Sequence, residues 1–260
     1  TAANDGFSER LNASIGGATG NATSNNGSFA LLSAGATDSS ALTVGIDTSS
    51  AGHKSGTATI SLASDGAGTS GFAALALGTQ TVNVSGDVYR LASASAHTPE
   101  PINFGNRRVG DVTNQALTLS NDVANDGFSE RLDASIGGVT GQATSNDGSF
   151  TLLAAGASDN ASLAVGIDTA TAGHKAGTAT ITLTSNGAGT SDLGTTALGT
   201  QTVNVSGDVF RLASASAHTP EPVVFANRHV GDGASQALSL TNTAANDGFS
   251  ERLNASIGGA

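Results

Sequence analysis

Apolar residues alternate with small or polar residues along much of the chain, and this period of two is typical of β-strands. The alternating positions are Ile102 and Phe104; Leu117 and Leu119; Leu163, Val165 and Ile167; Ala179, Ile181 and Leu183; and Val203, Val205 and Val209. Clusters of Gly, Asn, Asp and Ser separate these runs and are suited to turns. The pattern predicts an all-β protein.

One further segment has apolar residues four apart, at Phe128, Leu132 and Ile136. This spacing fits one face of a strand or one stripe of a helix. We favour a strand because two glycines follow directly and the surrounding pattern is β. With the short apolar run at 150–153, the count is about seven strands, the number in an immunoglobulin-type sandwich.

The sequence is also internally repeated. Residues 4–11 recur at 125–132 and again at 246–253, so the period is 121 residues (125 − 4 = 246 − 125 = 121). A period of this length is too long for one coil of a solenoid and suits a complete small domain. We therefore expect separately packed units in which Phe7 and Phe128 have similar surroundings.

The repeat also indicates where units begin and end. Residues 243–260 match 1–18 letter for letter, so we expect the chain to be an excerpt of a periodic structure. Proline occurs only within two copies of His-Thr-Pro-Glu-Pro, where a stiff segment lacking backbone donors makes a suitable joint. The predicted domains are an incomplete immunoglobulin-like repeat lacking its first strands (1–97), a complete repeat (98–218) and the first strands of a third (219–260).

Composition narrows the chemistry. The chain has no Cys, Met or Trp, which excludes thiol redox chemistry, disulfides and zinc fingers. With 38% hydrophobic and only 4% aromatic residues, we expect modest aliphatic cores. A formal charge of −11 argues against nucleic acid and anionic membranes as partners. The sequence contains no apolar run of about 18 residues that could span a bilayer, and it does not open with a basic stretch followed by an apolar one. We therefore expect Thr1 to be a mature or excerpted start, and we infer export from composition.

Four motifs of the complete unit carry a family resemblance, at 104–111, 115–121, 173–181 and 203–207. In this order they resemble the choice-of-anchor D repeats of bacterial surface proteins, which are similar to the ASPM, SPD-2 and Hydin type of immunoglobulin-like domain. The resemblance implies a seven-stranded sandwich, export and a role as spacer or adhesive stalk, and it brings no catalytic residues. The Gly- and Ser-rich insert at 137–148 departs from the family, which makes a tighter connection there.

Histidine is the most plausible metal ligand or general base in a chain without Cys. His229 occupies the repeat position of Arg108, and a metal ligand would not be exchanged for a cation, so we interpret it as a solvated strand-end residue. The pairs His53-Lys54 and His174-Lys175 lie between Gly-flanked strands without an acidic cluster, so we interpret them as turn residues.

Other candidates also have structural interpretations. Some surface domains cross-link a buried Lys to Asn or Asp, but the lysines at 54 and 175 are predicted to be solvated in turns. The Asp-Gly steps at Asp5, Asp126 and Asp147 lack the spaced ligands of a calcium loop and fit turns. Tyr89 and Phe210 share one repeat position, so the ring packs and the hydroxyl is optional. Asn-x-Ser/Thr triplets are expected by chance in so Ser- and Thr-rich a chain.

These observations predict a non-enzymatic structural repeat of an extracellular bacterial fibre or adhesin stalk at the cell surface. No catalytic residue, metal or cofactor is expected. The expected partners are neighbouring copies of the same repeat, joined head to tail either covalently or by strand complementation into a filament. The alternative is an adhesin module that binds carbohydrate or a receptor, which would need an exposed aromatic platform. An enzyme is disfavoured because neither a nucleophile elbow nor a paired-carboxylate spacing occurs.

Overall fold

A computed structural model describes residues 3–258 and shows an all-β protein, with no helix in that range. The strands are β1 Arg10–Gly20, β2 Ala22–Ser24, β3 Ser28–Leu32, β4 Val44–Ile46, β5 Gly52–Asp65, β6 Leu75–Val88, β7 Ile102–Arg108, β8 Gln115–Ala116, β9 Leu119–Ser120, β10 Arg131–Gly141, β11 Ala143–Ser145, β12 Ser149–Leu153, β13 Ser158–Asp159, β14 Ala164–Ile167, β15 Gly173–Asn186 and β16 Thr195–Phe210. The predicted all-β class is confirmed. Leu132 and Ile136 lie in β10, so the ambiguous spacing of four belongs to a strand, whereas Phe128 lies just before it.

The chain forms two compact units. The first contains residues 3–91 together with 123–130 and 187–194, and the second contains the remaining described residues. The first unit holds a sheet in the order β3-β1-β5-β6 and a small β2-β4 sheet. All of its strand pairs are antiparallel.

The second unit holds a five-stranded sheet in the order β12-β10-β15-β16-β7, with smaller sheets β11-β14-β8 and β13-β9. One buried cluster contains residues of all three sheets, among them Leu117, Leu119, Leu132, Val165 and Ile181. Side chains from facing sheets that share one apolar core make a sandwich-like arrangement. The core is aliphatic, as the composition predicts.

Corresponding strands of the two units pair in corresponding registers. Leu11 lies opposite Leu32 in the first unit and Leu132 lies opposite Leu153 in the second, each followed by a β-bulge. Leu152 next to this bulge has φ 57°, and its backbone amide donates to Asp133 Oδ1 at 2.6 Å. The side-chain oxygen of Asp133 thus holds the bulged backbone.

The expected equivalence of Phe7 and Phe128 is wrong. Phe128 is half-buried and its ring centroid lies 5.6 Å from that of Tyr89, whereas Phe7 is 94% exposed. Phe249, at the same repeat position, packs against Phe210 at 5.7 Å in the way that Phe128 packs against Tyr89. In both packed pairs the ring partner precedes its Phe by 39 positions (128 − 89 = 249 − 210 = 39).

Candidate functional site

The edge of the large sheet in the second unit is closed by β7, which lies parallel to β16. Val205 pairs with Ile102 and Val209 with Arg107. Ile102, Val205 and Val209 are all buried because their side chains point to the core face of the sheet. In chain order β7 is the first strand of its unit and β16 the last, so the two ends of the folded segment are held side by side.

The chain that follows β7 covers the open face of the core. β8 pairs with β14 at Ala116 and Ala164, and β9 pairs with β13 at Leu119 and Asp159. Leu117 and Leu119 are fully buried, and every residue of β14 is buried. The segment 102–120 therefore supplies both an edge strand and the apolar side chains that complete the core.

A polar cluster fixes the Pro-Glu-Pro segment to β16. His97, whose side chain is 7% exposed, places Nδ1 2.8 Å from Gln201 Oε1 and Nε2 3.0 Å from Glu100 Oε2. Asn204 donates to Glu100 Oε1 from Nδ2 at 2.6 Å, and its backbone amide also donates to this carboxylate. The Pro-Glu-Pro segment is thus hydrogen-bonded to β16, the strand that also pairs with β7.

Hydrogen bonds fix the orientation of the side chains in this cluster and shift the pKa of Glu100. Gln201 Nε2 donates to the Ser95 carbonyl at 2.7 Å, so its Oε1 is the acceptor that faces His97. The two ring nitrogens of His97 therefore face Gln201 Oε1 and a carboxylate oxygen of Glu100. Burial alone would raise the pKa of Glu100, but hydrogen bonds from His97 and Asn204 outweigh it and hold the pKa below the usual value. The sequence analysis missed this cluster, although the repeated His-Thr-Pro-Glu-Pro motif was a signal for it.

The same motif one period later lacks this environment. His218 Nε2 lies 2.5 Å from Glu221 Oε2, but their side chains are 43% and 64% exposed. The following residues form no assigned strand up to residue 258. Val224, Leu238 and Leu240 are 81%, 41% and 47% exposed. Leu238 and Leu240 occupy the repeat positions of Leu117 and Leu119, which are fully buried. The same leucine positions are therefore in the core in one copy of the segment and exposed in the other.

The first unit has the complementary feature. β6 lies at the edge of its sheet. Its counterpart in the second unit, β16, is not an edge strand, because β7 lies beside it. Val84 on β6 is half-exposed, whereas Val205 at the same repeat position is 3% exposed. In the small β2-β4 sheet of the first unit, Val44 is 37% exposed, whereas Val165 at the same repeat position in β14 is 1% exposed. The first unit thus presents an open edge and an open apolar face.

The residues that the sequence analysis considered for chemistry lie outside this edge. His53 and His174 are in strands β5 and β15, so the prediction that they lie in turns is wrong. Each pairs with an aspartate on the neighbouring strand, Asp87 or Asp208, with Nδ1 to Oδ1 at 2.7 Å. The partners are 34 positions apart in sequence and meet because they lie opposite each other in the registers of β5 with β6 and of β15 with β16. Both partners of each pair are exposed, and exposed pairs of this kind contribute little to stability.

The lysines next to these histidines are buried and not solvated as predicted. Lys54 and Lys175 are each 4% exposed. Lys54 Nζ donates to Ser50 Oγ at 2.8 Å and Lys175 Nζ to Thr171 Oγ1 at 2.9 Å. Each lysine and the glycines on both sides of it lie within one strand, β5 or β15, and not in a turn, so the lysine side chain points inward.

Two other candidates have structural partners in the described chain. Asp126 accepts from Arg90 Nη1 at 2.7 Å, and this hydrogen bond together with one from the Phe128 backbone amide holds the pKa of Asp126 below its usual value. Asp247 makes the same contact with Arg211 at 2.6 Å. The side chain of His229 is 97% exposed, and its Nδ1 lies 3.7 Å from Asp232 Oδ2.

Within residues 3–258, no group of three or more His, Cys, Asp or Glu side chains is placed to hold a metal ion. In the same range no helix is long and apolar enough to cross a membrane.

The fold and this edge define an all-β, sandwich-like protein whose strands close one unit and remain open in another. No family model matches the sequence, and no curated protein matches it. Among solved structures, the chain is similar to a crystal structure of a protein of unknown function from Porphyromonas gingivalis W83, at 12% identity. That alignment covers 77% of this chain and 85% of the other with a TM-score of 0.27, a score that carries no argument about fold or function.

Proposed function

We propose that this chain is a structural repeat of an extracellular bacterial fibre or adhesin stalk, built of tandem immunoglobulin-like sandwiches with a 121-residue period. The observation that carries the proposal is the parallel pairing of the first and last strands of one unit, β7 and β16. A stalk must bear tension along its chain, and this pairing decides how a unit responds to that tension.

Tension on such a unit acts between the start of β7 and the end of β16. Because the strands are parallel, these two points lie at opposite ends of the pair, from Ile102 opposite Val205 to Arg108 opposite Phe210. The pull therefore runs along the strands and across the hydrogen bonds between them. Several bonds must fail together, whereas an antiparallel pair pulled at its open end loses them one at a time.

The joint supports the same role. The cluster of His97, Glu100, Gln201 and Asn204 attaches the entering chain to the last strand of the unit that follows it. Load on the Pro-Glu-Pro segment is thereby transferred to β16 before it reaches the core. The net charge of −11 keeps such a fibre soluble by mutual repulsion.

Single-molecule pulling tests the proposal, and the absence of Cys makes attachment unambiguous. Handles on Asn103→Cys and Leu212→Cys load the β7–β16 pair lengthwise. The matched control uses Val109→Cys and Leu212→Cys, which places both handles at one end of the pair. We expect a clearly higher unfolding force for the first variant. The length gained should be roughly 35 nm, the extended length of the chain between its handles.

Equal forces in the two geometries would contradict the load-bearing role. Glycan-array binding by the full chain would instead favour the carbohydrate-binding adhesin module. The two measurements are independent, because the force depends on strand direction and glycan binding on an exposed recognition surface.

A further inference from the structure

The sequence contains two Asn-Gly steps, at 26–27 and at 186–187. Glycine has no side chain to shield its backbone nitrogen, so this nitrogen can attack the side-chain amide of the preceding asparagine. One period away, each of these asparagines is replaced by an aspartate, Asp147 for the first and Asp65 for the second (26 + 121 = 147 and 186 − 121 = 65). Aspartate is also the residue that asparagine becomes when it loses its amide group.

The turn at 24–28 of the first unit requires residues of these two types. Asn26 has φ 51° and Asp147 has φ 49°, in the left-handed region that Asn and Asp adopt more readily than most other side chains. A Cβ on Gly27 would lie 2.0 Å from the Ala41 carbonyl oxygen, so only glycine fits there. The fold therefore places a glycine directly after Asn26 and leaves the backbone nitrogen unshielded by a side chain.

A carboxylate already occupies this position of the turn in the second unit. Ser24 Oγ donates to Asn26 Oδ1 at 3.2 Å, and Ser145 Oγ donates to Asp147 Oδ1 at 2.7 Å. Asn26 and Asp147 are both exposed. Exchange of the Asn26 amide for a carboxylate therefore keeps both the backbone conformation and the serine hydrogen bond of the turn.

The backbone nitrogens of the two Asn-Gly steps differ in access. The Gly27 amide donates to Oδ1 of the exposed Asn25 side chain at 3.0 Å. Gly187 is buried, and its amide donates to the Gly194 backbone carbonyl at 2.8 Å. Attack by the Gly187 nitrogen requires this backbone pairing to open, whereas attack by the Gly27 nitrogen requires only the movement of exposed side chains.

The side chain of Asn186 is also held in place. Its Nδ2 donates to Asp133 Oδ2 at 2.7 Å, and in the first unit Asn12 Nδ2 donates to Asp65 Oδ2 at the same distance. Each unit therefore keeps one amide and one carboxylate in this pair, with the two residue types exchanged. A carboxylate at 186 would face the carboxylate of Asp133, and the two negative charges would repel each other.

We propose that Asn26 is a site of spontaneous deamidation in the folded protein and that the fold protects Asn186 from the same reaction. The Gly27 nitrogen bonds to Asn26 Cγ, the Cγ–Nδ2 bond breaks, and ammonia leaves with the proton of the Gly27 amide. Water then opens the cyclic imide at either carbonyl and gives aspartate or isoaspartate. The formal charge of the chain changes from −11 to −12 (−11 − 1 = −12). The proposal goes beyond the stalk function and does not depend on it.

Peptide mapping by mass spectrometry tests the proposal within one molecule, because each Asn-Gly step is a control for the other. The folded full-length chain is incubated at mildly alkaline pH, and the conversion of amide to acid is followed at both asparagines. Since reaction at Asn186 requires local opening of the structure, we expect it to be at least about tenfold slower than reaction at Asn26. In urea the two rates should become similar, because the protection of Asn186 comes from the fold.

A rate at Asn26 no greater than the rate at Asn186 in the folded chain would overturn the proposal, and this includes the absence of conversion at both sites. Similar ratios of the two rates in the folded chain and in urea would also overturn it, because local sequence and not the fold would then set the difference.

Substitutions test the structural reasons for the difference. Asn26→Asp introduces the residue of the second unit and should leave the urea midpoint unchanged. Asn186→Asp should lower the midpoint through repulsion from Asp133. Asp133→Asn in the same chain should restore it, because the double variant has the Asn–Asp arrangement of the first unit. A midpoint that stays low in the double variant, or an equal loss from Asn26→Asp, would contradict the role of these contacts.

Discussion

Leu117 and Leu238 occupy the same position of the repeat, yet Leu117 is fully buried and Leu238 is 41% exposed. Nearly the same local sequence, QALTLSN at 115–121 and QALSLTN at 236–242, therefore has two environments within one chain. The segment around Leu117 pairs with β13 and β14, whereas the segment around Leu238 lies in no assigned strand. Equivalent substitutions in the two segments should therefore change the free energy of unfolding by different amounts.

Leu117→Ala should lower the free energy of unfolding by about 2–5 kcal/mol, because it removes buried methyl groups and leaves a cavity. Leu238→Ala is the matched control and should change it by no more than about 0.5 kcal/mol in dilute solution, as expected for a surface position. Urea unfolding followed by circular dichroism measures both, since the chain has no Trp for fluorescence. Similar losses for the two variants would contradict the difference in packing.

Glu100 should make stability depend on acid pH. Its pKa is lower in the folded protein than the ordinary glutamate value of 4.5, so the unfolded chain binds more protons than the folded chain as the pH falls. The stabilisation is present above about pH 4.5 and is lost as the pH falls through the lower folded value. Glu100→Gln should flatten this decline in the urea midpoint. Glu221→Gln, at the same repeat position, should leave it unchanged, and equal slopes for all three proteins would contradict the role of Glu100.

Gly177 should not tolerate a side chain. A Cβ added there would lie 2.2 Å from the Thr140 carbonyl oxygen and 2.6 Å from the Ala143 amide nitrogen, both backbone atoms that cannot rotate away. Gly177→Ala should therefore destabilise the protein by about 1–3 kcal/mol through overpacking. Gly233→Ala is the control, because no atom lies within 4 Å of its added Cβ. Thermal unfolding measures both variants, and equal melting temperatures for Gly177→Ala and Gly233→Ala would contradict the close contact at Gly177.

The ring of Tyr89 should matter and its hydroxyl should not. Tyr89→Phe reproduces the residue at 210 and should leave the melting temperature unchanged. Tyr89→Ala removes the ring contact with Phe128 at 5.6 Å and should cost about 0.5–1.5 kcal/mol beyond the lost burial. Phe7→Ala serves as the control, since Phe7 is 94% exposed. A melting temperature equally lowered by Tyr89→Phe would show that the hydroxyl contributes.

Much of the fold could be read from periodicity. Alternation at Val203 and Val205 predicted β16, and the all-β surroundings correctly decided the segment at Leu132 and Ile136. Such patterns are local, because a half-buried strand must place apolar residues at every second position. The prediction failed at Lys54, where glycines suggested a turn but the strand continues, since glycine is compatible with a strand as well as a turn.

The candidate site could not be read in the same way. His97 and Gln201 are 104 positions apart, and only the parallel placement of β7 beside β16 brings the joint to its partners. The His53–Asp87 pair likewise depends on register between two strands.

By itself, the sequence determined the strand class, the aliphatic core and the 121-residue repetition, because these follow from side-chain period and composition. Only the tertiary structure decided which copies of one motif are buried. Burial depends on whether a neighbouring strand is available to pair with, and two closely similar segments meet different neighbours along the chain.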